Sequence, residues 1–132
     1  MSSVKDQRLL TQFDFARLSR LDADNLPDEL LQCLDDAEIV APQEIPPDVI
    51  TMNSQFVMAD DVSSERLQFT LCFPKDADVS KGFISVLSPA GASFLGLRHG
   101  AKARWRGPHG REQSATVNRV VFQPEAAGDF TL

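Results

Sequence analysis

The chain has 132 residues, of which 24% are charged, and a formal net charge of −6. That length supports one ordinary domain with a buried core and room for a small appendage. No apolar run approaches the roughly 20 residues that cross a bilayer. The opening MSSVKDQRLL has no apolar stretch of signal-peptide type, so the expected setting is cytoplasmic, with no membrane partner.

The net charge hides a segregation. Residues 21–65 hold 12 acidic side chains and no Lys or Arg, whereas residues 66–132 hold nine basic against five acidic. A solvated acidic surface is the ordinary reading, but a polarised molecule also docks in a preferred orientation. The overall acidity disfavours non-specific nucleic-acid binding, which needs many phosphate-neutralising cations. Cys33 and Cys72 are isolated in apolar settings, LLQCL and FTLCF, and read as buried, inert thiols rather than a disulfide framework.

In chain order, Leu10, Phe13, Leu18 and Leu21 follow helical spacing, with Thr11 or Asp14 as the N-cap. After a break at DADN, the run LPDELLQCLDDAEIV predicts a second helix. Pro27 lies near its start, Asp28 and Glu29 sit where the macrodipole favours anions, and Leu30, Leu31, Leu34 and Ala37 form its stripe. The short connection predicts an antiparallel hairpin packed through Leu18, Leu21, Leu30 and Leu34. Each arm is at most about 13 residues, or roughly 15–20 Å. APQEIPPDV then predicts a stiff extended spacer and a boundary near residue 48, dividing the chain into 1–48 and 49–132.

The remainder reads as strands: SQFVMA, RLQFTLCF with alternating Leu67, Phe69, Leu71 and Phe73, GFISVLS, AKARWRG, and EQSATVNRVVFQ. An apolar phase shift in the last predicts a bulge at Asn118-Arg119. Between the third and fourth, VLSPAGASFLGLRHG changes period at Pro89 and predicts one short helix stopped near Gly100. The expected architecture is α+β: the hairpin, then a twisted antiparallel sheet of about five strands with one helix on a face. That strand-to-helix corner is either part of the core or a surface that a partner binds.

Little chemistry is written in motifs. His99 and His109 lack neighbours at metal-ligand spacing and read as solvent-facing turn residues. There is no nucleophile-elbow or phosphate-loop pattern, and no cofactor is expected. Trp105 between Arg104 and Arg106 has the types for stacking a base, but an inward strand position makes it a core residue first.

VITMNSQF, ISVLSPAGASFLGLRHGA, WRGPHG and FQPEAAGDF occur in the order found in the C-terminal domain of bacterial Gre transcript-cleavage factors. The chain resembles that family over roughly residues 49–130, and most of all its Rnk branch, the so-called regulators of nucleoside diphosphate kinase. The resemblance implies an FKBP-like sheet domain preceded by an antiparallel coiled coil, and RNA polymerase as the partner, bound near its secondary channel. It also implies competition with Gre factors, and contact with DNA only through the transcription complex. In Gre factors a long coiled coil carries tip carboxylates that hold catalytic magnesium; the Rnk-like branch has a short hairpin and is regarded as non-cleaving. Ser88 and Pro89 match the turn linked to polymerase contact.

The tip here, LDADN, supplies Asp22 and Asp24, but on arms several times shorter than a Gre arm. Mg²⁺ requires oxygen at about 2.1 Å, so such carboxylates stay out of reach of a buried ion and read as a polar turn. The expectation is a non-enzymatic, polymerase-binding regulator. Ser88 and Pro89 shape its contact turn, Gly96 and Gly100 let the backbone close around it, and Arg98, Lys102, Arg104 and Arg106 form a cationic edge. The alternatives are a cleavage factor using Asp22 and Asp24, and direct control of nucleoside diphosphate kinase, which no residue supports. The prolyl isomerase activity of some FKBP-like folds finds no support either, since the chain has no Tyr for an aromatic-lined pocket.

Overall fold

The computed structural model describes residues 7–21, 24 and 26–130. β1 (Leu9–Thr11) runs directly into α1 (Gln12–Ser19), and α2 (Asp28–Asp36) leads into β2 (Glu38–Val40). Of the two candidate caps it is Thr11 that serves, its Oγ1 accepting the Asp14 N–H at 3.0 Å. β1 and β2 pair in parallel, Leu9 opposite Glu38. The N-terminal third is therefore a β-α-α-β unit. Three-residue strands are too short to show a period, so the sequence reading saw only the helices.

The helices have eight and nine residues, inside the length limit set by the sequence. α2 packs chiefly on a third helix, α3 (Pro89–Phe94). Leu18 and Leu30 are fully buried and Leu21 and Leu34 partly so, all in the core cluster that also contains Phe56, Leu71 and Val117 of the sheet. The apolar stripe thus belongs to the sheet's core, because two-turn helices bury too little on one another.

The proline-rich stretch is anchored rather than a bare spacer. Pro42–Glu44 forms a 3₁₀ turn, and Ile45, Val49 and Ile50 are buried. The buried Gln123 amide donates to the carbonyls of Pro46 and Val49, both at 2.8 Å.

Five strands form the main sheet, in the order β5 (Phe83–Ser85), β4 (Arg66–Cys72), β3 (Gln55–Asp60), β7 (Glu112–Phe122), β6 (Lys102–Arg106). The strand count agrees with the sequence, but the sheet is mixed, because β5 lies parallel to β4. The reason lies between them. Two 3₁₀ turns, Pro74–Asp76 and Val79–Lys81, carry the chain back, and Asp78 and Phe83 exchange backbone hydrogen bonds that start β5 in the direction of β4. The expected bulge is present: Val57 pairs with Arg119 and Met58 with Val117, so Asn118 is skipped.

α3 covers one face of this sheet. Phe94 sits 4.9 Å from Phe56 and 5.7 Å from Trp105, centroid to centroid, and Phe56 lies 6.3 Å from Phe69. Along β4 burial rises along the strand instead of alternating: Leu67 and Gln68 are exposed, Phe69 and Thr70 half-buried, and Leu71 and Cys72 buried, so the strand's start lies in solvent and its end is covered on both faces.

Candidate functional site: a groove at the start of α3

Ser88 caps α3. Its Oγ accepts the Gly91 N–H at 3.0 Å and donates to the Ser85 carbonyl at 2.7 Å, so the hydroxyl is engaged by the fold. Pro89 follows at the first helical position, where a missing N–H costs nothing, and is exposed. Gly91 is the residue that sequence reasoning missed. A Cβ there would lie 2.1 Å from the Ser85 carbonyl oxygen, so only glycine lets the helix start press against the exit of β5. The signal was available as a glycine inside a helical pattern.

The helix ends at Phe94, and the left-handed stop is Gly96, at φ +81°, not Gly100. Gly96 donates to Ile50 and accepts from Leu9, joining β1 to the core. Gly100 also has positive φ, but it serves the entry to β6, donating to Val117.

Across from Pro89 and Ala90 stand Trp105, Arg106 and Gly107, and between the two walls lies an open, largely apolar groove of about 430 Å³. Trp105 is half-buried: one part packs on Phe94, another lines this groove. It is both the core residue expected and a surface residue.

The cationic edge divides. Arg98 lies outside β6 and pairs with Asp48 at 3.3 Å, and Lys102 pairs with Asp61 at 3.4 Å. Arg104 and Arg106 are exposed on the face of β6 opposite the core and form no salt bridge among the described residues. Asp24 is exposed between α1 and α2, while Asp22 lies outside the described residues. His99 and His109 are exposed, and the described residues contain no group of three or more His, Cys, Asp or Glu able to hold a metal. Burial pushes the Cys33 and Cys72 thiols up, which keeps them protonated and unreactive.

A polar cluster behind α1 had no sequence signature. Asp14 is fully buried; its carboxylate accepts from the Arg17 guanidinium at 2.7 Å and from the Met52 N–H at 3.1 Å. Arg17 lies over the rings of Phe13 and Phe73, at 4.3 and 4.7 Å. Nearby, Thr51 donates to Glu125 at 2.7 Å. Burial raises the pKa of Asp14 against the opposing pull of Arg17 and Met52, and burial also raises that of Glu125.

A β-capped helical layer on a mixed five-stranded sheet, with a glycine-tight turn opening α3, is the architecture of a known class. Residues 39–121 match the family described as transcription elongation factor GreA/GreB, C-terminal, and the chain belongs to that family. It is 38% identical over 124 residues to the regulator of nucleoside diphosphate kinase of Escherichia coli, covering 94% of this chain and 87% of that protein. It is 33% identical over 82 residues to transcription elongation factor GreA of Syntrophobacter fumaroxidans, covering 62% of this chain and 53% of that protein. The solved GreA/GreB elongation factor of Nitrosomonas europaea is similar in fold, with TM-score 0.70 and 35% identity over 88% of this chain and 98% of that one. These relatives are named as regulators and transcription factors, not as catalysts of a known reaction.

Proposed function

We propose that this protein is a transcription regulator that binds RNA polymerase near its secondary channel and does not cleave RNA. The observation that carries the reading is the Ser88–Pro89 turn, which lies within the family-matched segment and forms one wall of an open apolar groove. Pro89, Arg104 and Arg106 supply contact, while Ser88, Gly96 and Gly100 hold the turn in shape; Arg98 and Lys102 contribute less, being already paired. The helices support the non-cleaving role. A nine-residue α2 spans roughly 12–14 Å at helical rise, too short to carry Asp22 and Asp24 to a metal deep in a channel.

The test is a direct binding titration against core polymerase, run beside a transcript-cleavage assay on stalled complexes. Wild type binds, stimulates no cleavage and lowers cleavage by an added Gre factor, because two ligands for one site exclude each other. Pro89→Glu weakens binding with a normal melting curve. Ser88→Ala is a poor probe alone, since losing an N-cap costs about 1 kcal/mol of stability. Unchanged affinity of Pro89→Glu removes the turn from the contact. Stimulated cleavage that disappears when Asp22 and Asp24 become Asn establishes the enzyme instead.

A further inference from the structure

β6 is the terminal strand of the sheet, so only one of its edges is bonded to a neighbour. Its register with β7 runs from Lys102 opposite Thr116 to Arg106 opposite Glu112. The same register continues beyond the strand, where Val117 donates to Ala101 at 2.9 Å and Gly107 to Arg111 at 2.8 Å. Hydrogen-bonded and non-hydrogen-bonded pairs alternate along an antiparallel ladder. Ala103 and Trp105, with the carbonyl of Ala101 and the N–H of Gly107, therefore direct their backbone groups at β7, and the N–H and C=O groups of Lys102, Arg104 and Arg106 face away from the sheet. Open space lies beside this edge. The apolar groove adjoins a second one, of about 270 Å³, that shares Trp105 and Arg106 and is bordered by Glu29, Arg104 and Glu112.

We infer that β6 accepts an extended segment of a partner protein as a sixth strand, and that this segment alternates apolar and acidic residues. The inference takes from the docking role proposed above only the existence of a protein partner. Side chains of an added strand alternate between faces. One set falls on the face of Trp105 and enters the groove walled by Pro89 and Ala90. The other set falls beside Arg104 and Arg106, whose guanidinium groups have no salt-bridge partner among the described residues. Lys102 is already held by Asp61, and Glu29 and Glu112 border the second groove without reaching salt-bridge distance of either guanidinium, so Arg104 and Arg106 are the groups through which the edge selects carboxylates.

A second copy of this chain does not fit. Antiparallel pairing of two β6 edges about Arg104 sets Arg104 against itself and Lys102 against Arg106, and like charges directly opposed are destabilising. The same cations discourage neutral apolar strands, as edge charges commonly do. They make the edge selective, and main-chain hydrogen bonds supply the affinity.

Trp105 is the chain's only Trp and there is no Tyr, so intrinsic emission reports this groove alone. The full chain is titrated with a synthetic peptide of about nine residues alternating Leu or Val with Glu or Asp, within the ordinary range of strand lengths. Controls are the same composition in apolar and acidic blocks, a version with Lys replacing the acids, and one N-methylated at alternate amides. The expected result is a saturable emission shift with slowed amide exchange at Arg104 and Arg106, produced by the alternating peptide alone. Arg104→Glu with Arg106→Glu lowers its affinity at least about tenfold while the melting curve stays near native. The inference is overturned by no saturable shift at millimolar peptide, or by equal binding of the block or N-methylated peptide. Self-association in sedimentation that shifts the emission, or a response to single-stranded oligonucleotide instead of peptide, overturns it too. Peptide binding in a protein that fails to bind polymerase leaves this inference standing and removes the function proposed above.

Discussion

α3 meets the sheet through rings and methyl groups, with Phe94 between Phe56 and Trp105 and Leu95 and Leu97 buried behind it. α1 adds to its buried Leu18 a carboxylate: Asp14 takes the Met52 N–H from the strand entry and Arg17 from its own helix, and the Thr51–Glu125 bond lies close by. The first attachment is non-directional and scales with apolar area. The second is directional, and its charged form must overcome desolvation before it contributes anything. An eight-residue helix with one fully buried apolar side chain cannot define its own orientation by packing, so hydrogen bonds define it. The contrast teaches that the groove wall at α3 rests on the strong apolar part of the core, while the helical layer rests on a titratable contact.

The largest effect that tests this contrast comes from Phe94→Ala. It removes a fully buried ring touching two aromatic partners and should cost about 3–5 kcal/mol, read as a lower denaturation midpoint with an unchanged slope. A loss under about 1 kcal/mol would mean that α3 is held by something other than this packing.

Asp14→Ala comes next. It strands the Met52 N–H and leaves the Arg17 guanidinium without its carboxylate, at a cost of about 2–3 kcal/mol. Its distinguishing mark is local: amide exchange should accelerate first in α1 and at Met52, before β3 and β7. Uniform acceleration throughout the chain would merge the two layers into one cooperative unit.

The smallest effect is in pH dependence, compared between wild type and Glu125→Gln. Burial raises the folded-state pKa of Glu125. A carboxylate with a raised folded pKa contributes stability that is fully present below its unfolded pKa and is lost as pH rises through the folded value. Wild type should therefore gain stability relative to Glu125→Gln as pH falls from neutrality into the carboxylate range, measured by denaturation at several pH values. A gain in the opposite direction would mean that the Thr51 hydrogen bond outweighs burial.

Much of the sheet was legible because its signals are local and repeated. Alternation along β4 and β6, the phase shift at Asn118 and the Ser-Pro helix start each involve neighbours in sequence. The candidate site was half legible. Ser88 and Pro89 announce a turn, but nothing local says that Gly91 lies against the Ser85 carbonyl or that Trp105 forms the opposite wall. The division of the cationic edge was not legible for the same reason. Arg98 and Lys102 resemble Arg104 and Arg106 in sequence, and only folding brings Asp48 and Asp61 to the first two.

By itself the sequence determined the five sheet strands, the bulge and the buried cysteines, because hydrophobic period and turn chemistry act within a few residues. Tertiary structure decided the parallel pairing of β5, the short β1–β2 pair and the attachment of α2 to α3. It also decided the burial of Asp14 beside Met52 and the groove between Pro89 and Trp105. Each joins groups far apart along the chain, and the free energy of bringing them together is set by the whole core rather than by any segment's own preference.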